Sequence, residues 1–221
     1  MIKKLALIIG FIICLSSCGK DYVYRIEGEL SNLEDQTVYA VFEKDNYKVV
    51  DTVACTKPGQ FQIDQHEAGF HCVTIFFADK EHWVTAYLEP GETVKITGDA
   101  NSPLLLQVKG GRTNDKLTAF KKKIAPLLTE LTNLSNSLNS KDLNDIAARL
   151  ANVNMQLSEE AIRYVKENPN EEASVVLIQS FFSDPDDTRK IDELLALLNP
   201  RLKDFYLVKE LEQYSQQLIN F

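Results

Sequence analysis

Cysteine is scarce in this sequence, at four in 221 residues, too few for a disulfide-dense secreted scaffold. Nine glycines and seven prolines exclude a collagen and a low-complexity linker. Positive charge is in deficit: 24 basic against 32 acidic residues give a net charge of -8, or -10 once the first seventeen residues with Lys3 and Lys4 are set aside. Affinity for a phosphate backbone comes from Lys and Arg displacing counterions, so no nucleic-acid partner is expected. The sequence has no G-x-S-x-G, no phosphate-cradling glycine loop and no C-x-x-C beyond its amino-terminal segment. What it has is 44% apolar and 25% charged residues, enough to pack one or two domains.

The amino terminus carries an address. Lys3 and Lys4 precede the apolar run Leu5 to Leu15, and the small residues Ser16 and Ser17 follow, the three-part layout of a secretory signal. Eleven residues rise only ~16 Å as a helix against a hydrocarbon core of ~30 Å, so this run is too short to span. Leu15-Ser16-Ser17-Cys18 resembles the bacterial lipobox, which implies cleavage before Cys18 and diacylation of its thiol. Two or three acyl chains hold a protein stably on a membrane, each buried CH2 contributing ~0.8 kcal/mol. The expected partition is a signal peptide over 1–17, a lipidated tether over 18–22, a strand domain over 23–111 and a helical domain over 112–221.

Between Tyr22 and Gly111, short alternating runs are split by turn residues. Period-two placement is clear in Tyr24, Ile26 and Leu30, in Val73, Ile75 and Phe77, and in Val84, Ala86 and Leu88. Turn signals at Lys57-Pro58-Gly59, Pro90-Gly91 and elsewhere delimit about eight half-buried strands. An antiparallel β-sandwich or jelly-roll-like domain is the expected fold, its strands joined as antiparallel neighbours.

After Gly110-Gly111 the period becomes helical. Leu117, Phe120, Ile124, Leu127, Leu131, Leu134 and Leu138 form one apolar seam, and Leu143, Ile146, Leu150, Val153 and Leu157 a second. A turn at Asn139-Ser140 predicts an antiparallel hairpin closed seam to seam, and Pro126 predicts a kink or break in its first arm. A third helix is expected over Glu172 to Phe182. A fourth is expected from a cap at Asp186-Asp187 through Leu198, and a last one from Pro200 through Leu218. The whole is α+β in two parts.

Several constellations invite chemistry. His66-Glu67-Ala68-Gly69-Phe70-His71 resembles the zinc-protease H-E-x-x-H, but its histidines are five apart, about 140° off a shared helical face, and Gly69 argues for a turn. His71 and Cys72 point to opposite sides of a strand, and His82 is read as a solvated loop histidine. Asp184-Pro185-Asp186-Asp187 fails as a calcium loop, because Arg189 and Leu195 stand at the sixth and twelfth positions. Lys121-Lys122-Lys123 fans across ~200° of helix and reads as one solvated face. Cys14 leaves with the signal and Cys18 with the lipid, so Cys55 and Cys72 remain as a candidate disulfide or as two small buried hydrophobes. Tyr22, Tyr24, Tyr39, Tyr47, Trp83 and Tyr87 read mainly as packing, with a sugar or peptide site as the sharper alternative. No catalytic residue, metal ligand or cofactor is assigned.

YRIEGEL over Tyr24 to Leu30, VDTVACTKPGQF over Val50 to Phe61 and YLEPGETVKITGD over Tyr87 to Asp99, with ENPNEEASVVLI in the helices, resemble domain of unknown function 4369 and its helical extension. The resemblance implies a Bacteroidetes lipoprotein of a kind whose carboxy-terminal part is thioredoxin-like, of the peroxiredoxin and thiol-disulfide interchange type. That part and its C-x-x-C are absent from this sequence, so no redox activity is carried over. Gly19 after the cysteine, in place of the inner-membrane retention aspartate, points to the outer membrane. A lone Asp21 in place of an acidic cluster points to its periplasmic face.

The expected function is a lipid-anchored envelope lipoprotein that acts as a non-catalytic binding or scaffolding module for a protein, peptide or glycan. The alternative is an accessory to a separate thioredoxin-like oxidoreductase. Ligand and oligomeric state are not legible.

Overall fold

In a computed structural model, residues 22–34, 37–79, 81–137, 143–183 and 189–219 are described. The expected signal peptide and Cys18 lie outside these residues. Among these described residues eight strands come first and six α-helices follow. The strands are β1 (Tyr24–Ser31), β2 (Thr37–Glu43), β3 (Lys48–Ala54), β4 (Gln60–Gln65), β5 (Cys72–Phe76), β6 (Trp83–Tyr87), β7 (Thr93–Asp99) and β8 (Gln107–Lys109). They form two four-stranded sheets, ordered β4-β1-β7-β8 and β3-β2-β5-β6. The alternation in sequence is the alternation in burial: Tyr24, Ile26 and Leu30, Val38, Ala40 and Phe42, Val73 and Ile75, Val84 and Ala86, and Val94 and Ile96 meet in one core.

Five of the six strand pairs are antiparallel. The sixth departs from the expectation of antiparallel neighbours throughout: β1 and β7 run parallel, in register from Arg25 opposite Thr93 to Ser31 opposite Asp99. These strands are joined by no short link. The chain leaves β1 for the other sheet and returns in the direction in which it left.

The helical part has its own core. Helix α1 (Arg112–Lys123) and helix α2 (Ala125–Asn136) are separated at Ile124, and Pro126 stands in the first turn of α2, where its missing N–H is harmless. The expected break therefore falls two residues before the proline. Helix α3 (Leu143–Glu167) returns antiparallel along this pair, tied to it by Arg149–Glu130 and Lys123–Glu160 ion pairs. Phe120, Ile124, Leu134, Ile146, Val153 and Leu157 of the two predicted seams are buried there, while Leu138 and the side chain of Leu143 lie outside the described residues.

Helix α4 (Glu172–Phe182) has the predicted bounds and buries every residue from Ala173 to Ile178, which makes it the centre of the bundle. Helix α5 is shorter than expected (Arg189–Leu195), and Asp184 to Asp187, with the expected cap, lie outside the described residues. The last predicted helix is two elements, a 3-10 turn at Pro200–Leu202 and helix α6 (Tyr206–Ile219). The Asn199 N–H donates to the Pro169 carbonyl, and Arg201 donates to the Asn170 carbonyl. These tethers hold the turn against the α3–α4 corner, and the chain restarts its helix at Tyr206.

Candidate functional site

The helical part docks on the sandwich through buried polar side chains of α1. Strands β6 and β8 each end a sheet, and an uncovered edge presents unpaired backbone groups. Asn114, 1% exposed, accepts from the Tyr87 N–H at 2.9 Å and donates to the carbonyls of Tyr87 and Gly110. Thr118, one turn on, accepts from the Val108 N–H at 3.1 Å and donates back to the Val108 carbonyl. The Gly110-Gly111 corner makes this approach possible. Gly110 has φ +102°, and a Cβ there would stand 2.1 Å from the Thr93 carbonyl oxygen.

Docking packs the helices against the β6 end of its sheet, and two openings along the seam bear on function. The first is a polar cleft of about 550 Å³ between the end of β5 and α6. Asp45, Glu89, Glu172, Asp204 and Glu210 line it, against Lys209 and His71. The His71 ring stacks on Tyr206 with centroids 4.1 Å apart and planes 15° off parallel, and its Nε2 lies 2.7 Å from Asp45. Behind this stack Cys72 is 5% exposed and its thiol donates to the Glu43 carboxylate at 3.2 Å. Burial, then the Glu43 carboxylate, push the Cys72 thiol up to about 12.

Burial alone would raise Glu43, but donation from Lys48 and from the thiol outweighs it and holds the carboxyl below its ordinary range. Burial, followed by the charge of Glu43, raises Glu210. Burial, then the nearby Cys72, also raises the Tyr206 phenol, whose hydroxyl oxygen has no partner of ordinary hydrogen-bond geometry among the described residues. A nucleophilic cysteine must be a thiolate, and this one is held as a thiol by the neighbour that would have to act as its base.

The second opening is an apolar groove of about 680 Å³ between β6 and helices α1 to α4. Lys121 lines it. The expectation of one solvated lysine face fails here: Lys122 is exposed and Lys123 pairs with Glu160, whereas Lys121 is turned among apolar side chains.

Cys55 and Cys72 are not bridged to each other. In the ladders either side of β2, Ala54 stands opposite Thr37 and Cys72 opposite Glu43. Six steps of ~3.3 Å separate those two levels by about 20 Å, far beyond the ~7 Å within which Cα atoms can be joined. His66 to His71 form the β4–β5 connection without a helix, and among the described residues no three metal-binding side chains converge. His82 is not merely solvated; its Nδ1 is bonded to Asp79 within the β5–β6 turn. Among the aromatics, Tyr24 is core and Tyr87 packs under the helices, while Tyr47 and Trp83 stay exposed. Sequence reasoning missed Asn114, Thr118 and Tyr206, and read Lys121 as solvated. The only local signal for the first two was a polar pair four residues apart just after a double glycine.

Residues 24–117 match the family described as Domain of unknown function (DUF4369), so the strand domain, with the first half of α1, is a member of it. The match ends one residue short of Thr118. No curated protein and no solved structure matches the chain.

Proposed function

We propose that this protein, whose strand domain belongs to a family of unknown function, is a lipid-anchored envelope lipoprotein that binds a ligand without transforming it. The observation that carries the non-catalytic part is Cys72: the one thiol beside the polar cleft is buried and bonded to a carboxylate, with its titration pushed up to about 12. Thiol-disulfide exchange at neutral pH needs the opposite, an accessible cysteine with a depressed pKa. The two openings along the seam supply surface for recognition, and a rigid sandwich joined to a helical bundle suits a scaffold. The anchoring part rests on Leu15-Ser16-Ser17-Cys18 after an apolar run, while Gly19 and a lone Asp21 support an anchor in the outer membrane that faces the periplasm.

Two measurements test these parts separately. Native protein at pH 8 should alkylate Cys72 at least about a hundredfold more slowly than unfolded protein, and should show no thiol-disulfide exchange with a small disulfide substrate. Rapid native modification with turnover would make it an enzyme. Metabolic acyl labelling should mark the wild type and be lost in Cys18→Ala, which should leave the membrane fraction; unchanged fractionation would remove the anchor. Stoichiometric retention of a thioredoxin-like oxidoreductase in a pull-down from intact envelopes would move the function to the accessory role.

A further inference from the structure

The apolar groove contains one charge and nothing to balance it. Leu117, Ile124, Leu131 and Phe181 are among its walls, and Lys121 is the only ionisable cation or acid among its lining residues apart from the phenol of Tyr87. Lys121 makes no ion pair and no hydrogen bond among the described residues, and burial alone lowers its pKa. The neighbouring lysine residue on α1, Lys123, reaches Glu160, so this helix does have a carboxylate within range of another register. Lys121 is half-buried, and a partly desolvated ammonium without a partner carries a cost that a leucine or methionine at this position would not. At the mouth stand Trp83 and Leu104, 53% and 42% exposed, large apolar side chains left open to water at the edge of an apolar recess.

We propose that this groove binds a long-chain monocarboxylate, with its hydrocarbon along the apolar walls and its carboxylate on the Lys121 ammonium. The volume is within the range of small-molecule sites, and the composition is that of such a site: mostly apolar, with few polar groups to fix orientation. One ammonium matches one carboxylate. A phosphate ester would bring up to two negative charges, and no arginine lines the groove to share them. A thioester-free neutral lipid, including acyl chains of the protein's own expected anchor, would leave Lys121 as unbalanced as before. Hydroxyls of Thr85 and Ser158 also line the groove, the first already bonded to Thr74.

The inference rests on the protein being a binder and is independent of its anchoring. Trp83 is the sole tryptophan, so energy transfer from it to the polyene fatty acid cis-parinarate reports binding to the protein, and the Lys121→Met variant assigns that binding to this groove. The experiment uses the chain from Gly19 onward, which keeps both cores entire and carries no acyl group. Saturable transfer is expected, displaced by palmitate and displaced at least about tenfold less well by hexadecanol. In Lys121→Met the preference for acid over alcohol should vanish, with a melting temperature equal to the wild type's or higher. Absence of transfer, equal displacement by acid and alcohol in the wild type, or an acid preference that survives in Lys121→Met would overturn the proposal. If Lys121→Met does not fold, the wild-type comparison of palmitate with hexadecanol decides alone. None of these results depends on the reactivity of Cys72, so the proposed non-catalytic role stands or falls separately.

Discussion

Asn114 and Thr118, one turn apart on α1, complete the edges of two different sheets: the first takes both backbone groups of Tyr87 on β6, the second both of Val108 on β8. Sandwich and helices are thereby joined by groups that neither part can satisfy alone.

Replacing either residue strands buried backbone groups. Asn114→Ala leaves a buried N–H and carbonyl of Tyr87 without partners and should cost about 2–4 kcal/mol, while Thr118→Val, which keeps the shape, should cost about 1–3 kcal/mol. Urea unfolding gives the magnitudes. Amide exchange gives the location: the Tyr87 N–H should lose protection in the first variant and the Val108 N–H in the second, each leaving the other edge protected.

The corner before α1 offers a contrast between two glycines. Gly110 and Gly91 both have positive φ, at +102° and +81°, but a Cβ at Gly110 meets the Thr93 backbone whereas one at Gly91 meets nothing within 4 Å. Gly91→Ala should therefore cost about 1–2 kcal/mol of conformational strain alone. Gly110→Ala adds a backbone clash that no rotamer relieves, and should lower the melting temperature by at least twice as much.

Cys72 makes stability depend on alkaline pH. Its folded titration lies at about 12 against an ordinary 9.0. A group raised on folding contributes stability in full below its unfolded value and loses it as pH rises towards the folded one. Between pH 9 and pH 12 the unfolded chain releases this proton and the folded chain keeps it, a loss of about 1.4 kcal/mol per pH unit. Cys72→Ala should be the less stable protein at pH 7, by about 1 kcal/mol. It should lose less than the wild type between pH 7 and pH 10.5, with both followed by urea midpoints.

Among the described residues the buried hydroxyl of Tyr206 has no partner of ordinary hydrogen-bond geometry, only the nearby Cys72 thiol, so most of its desolvation cost goes unreturned. Tyr206→Phe keeps the ring stacked on His71 and should be neutral or stabilising by up to about 1 kcal/mol. A loss above about 2 kcal/mol in thermal unfolding would show that the oxygen has a partner.

How much of this was legible depends on how local the cause was. Val73 and Ile75, or Val84 and Ala86, alternate because a sandwich buries every second side chain, so strands could be placed from neighbours alone. The bounds of α4 were legible because Pro169 stops one helix and a stretch from Ala173 to Ile178, apolar but for Ser174, fills the next. The parallel pairing of β1 with β7 was not, since it is set by a crossover of more than sixty residues that no window contains. Lys121 was misread for the same reason. It differs from Lys122 and Lys123 in pointing into the groove between α3, α4 and β6, whose positions are fixed from far along the chain. Cys72 was legible as a small buried residue, but its carboxylate partner Glu43 becomes a neighbour only through the β2–β5 register.

The parallel β1–β7 pairing also sets the order in which the molecule can assemble. Strand β1 sits inside its sheet, between β4 and β7, and its second side stays open until residues 93–99 have been made. A hairpin closes within microseconds, but this pairing waits on a long loop, so the strand domain should fold slowly for its size and acquire its last internal strand only as synthesis nears the helices. During that interval the open side of β1 is the stretch of nascent chain at greatest risk of joining a neighbour, a hazard that a holding chaperone would relieve and that cutting the chain before Asp99 would make permanent.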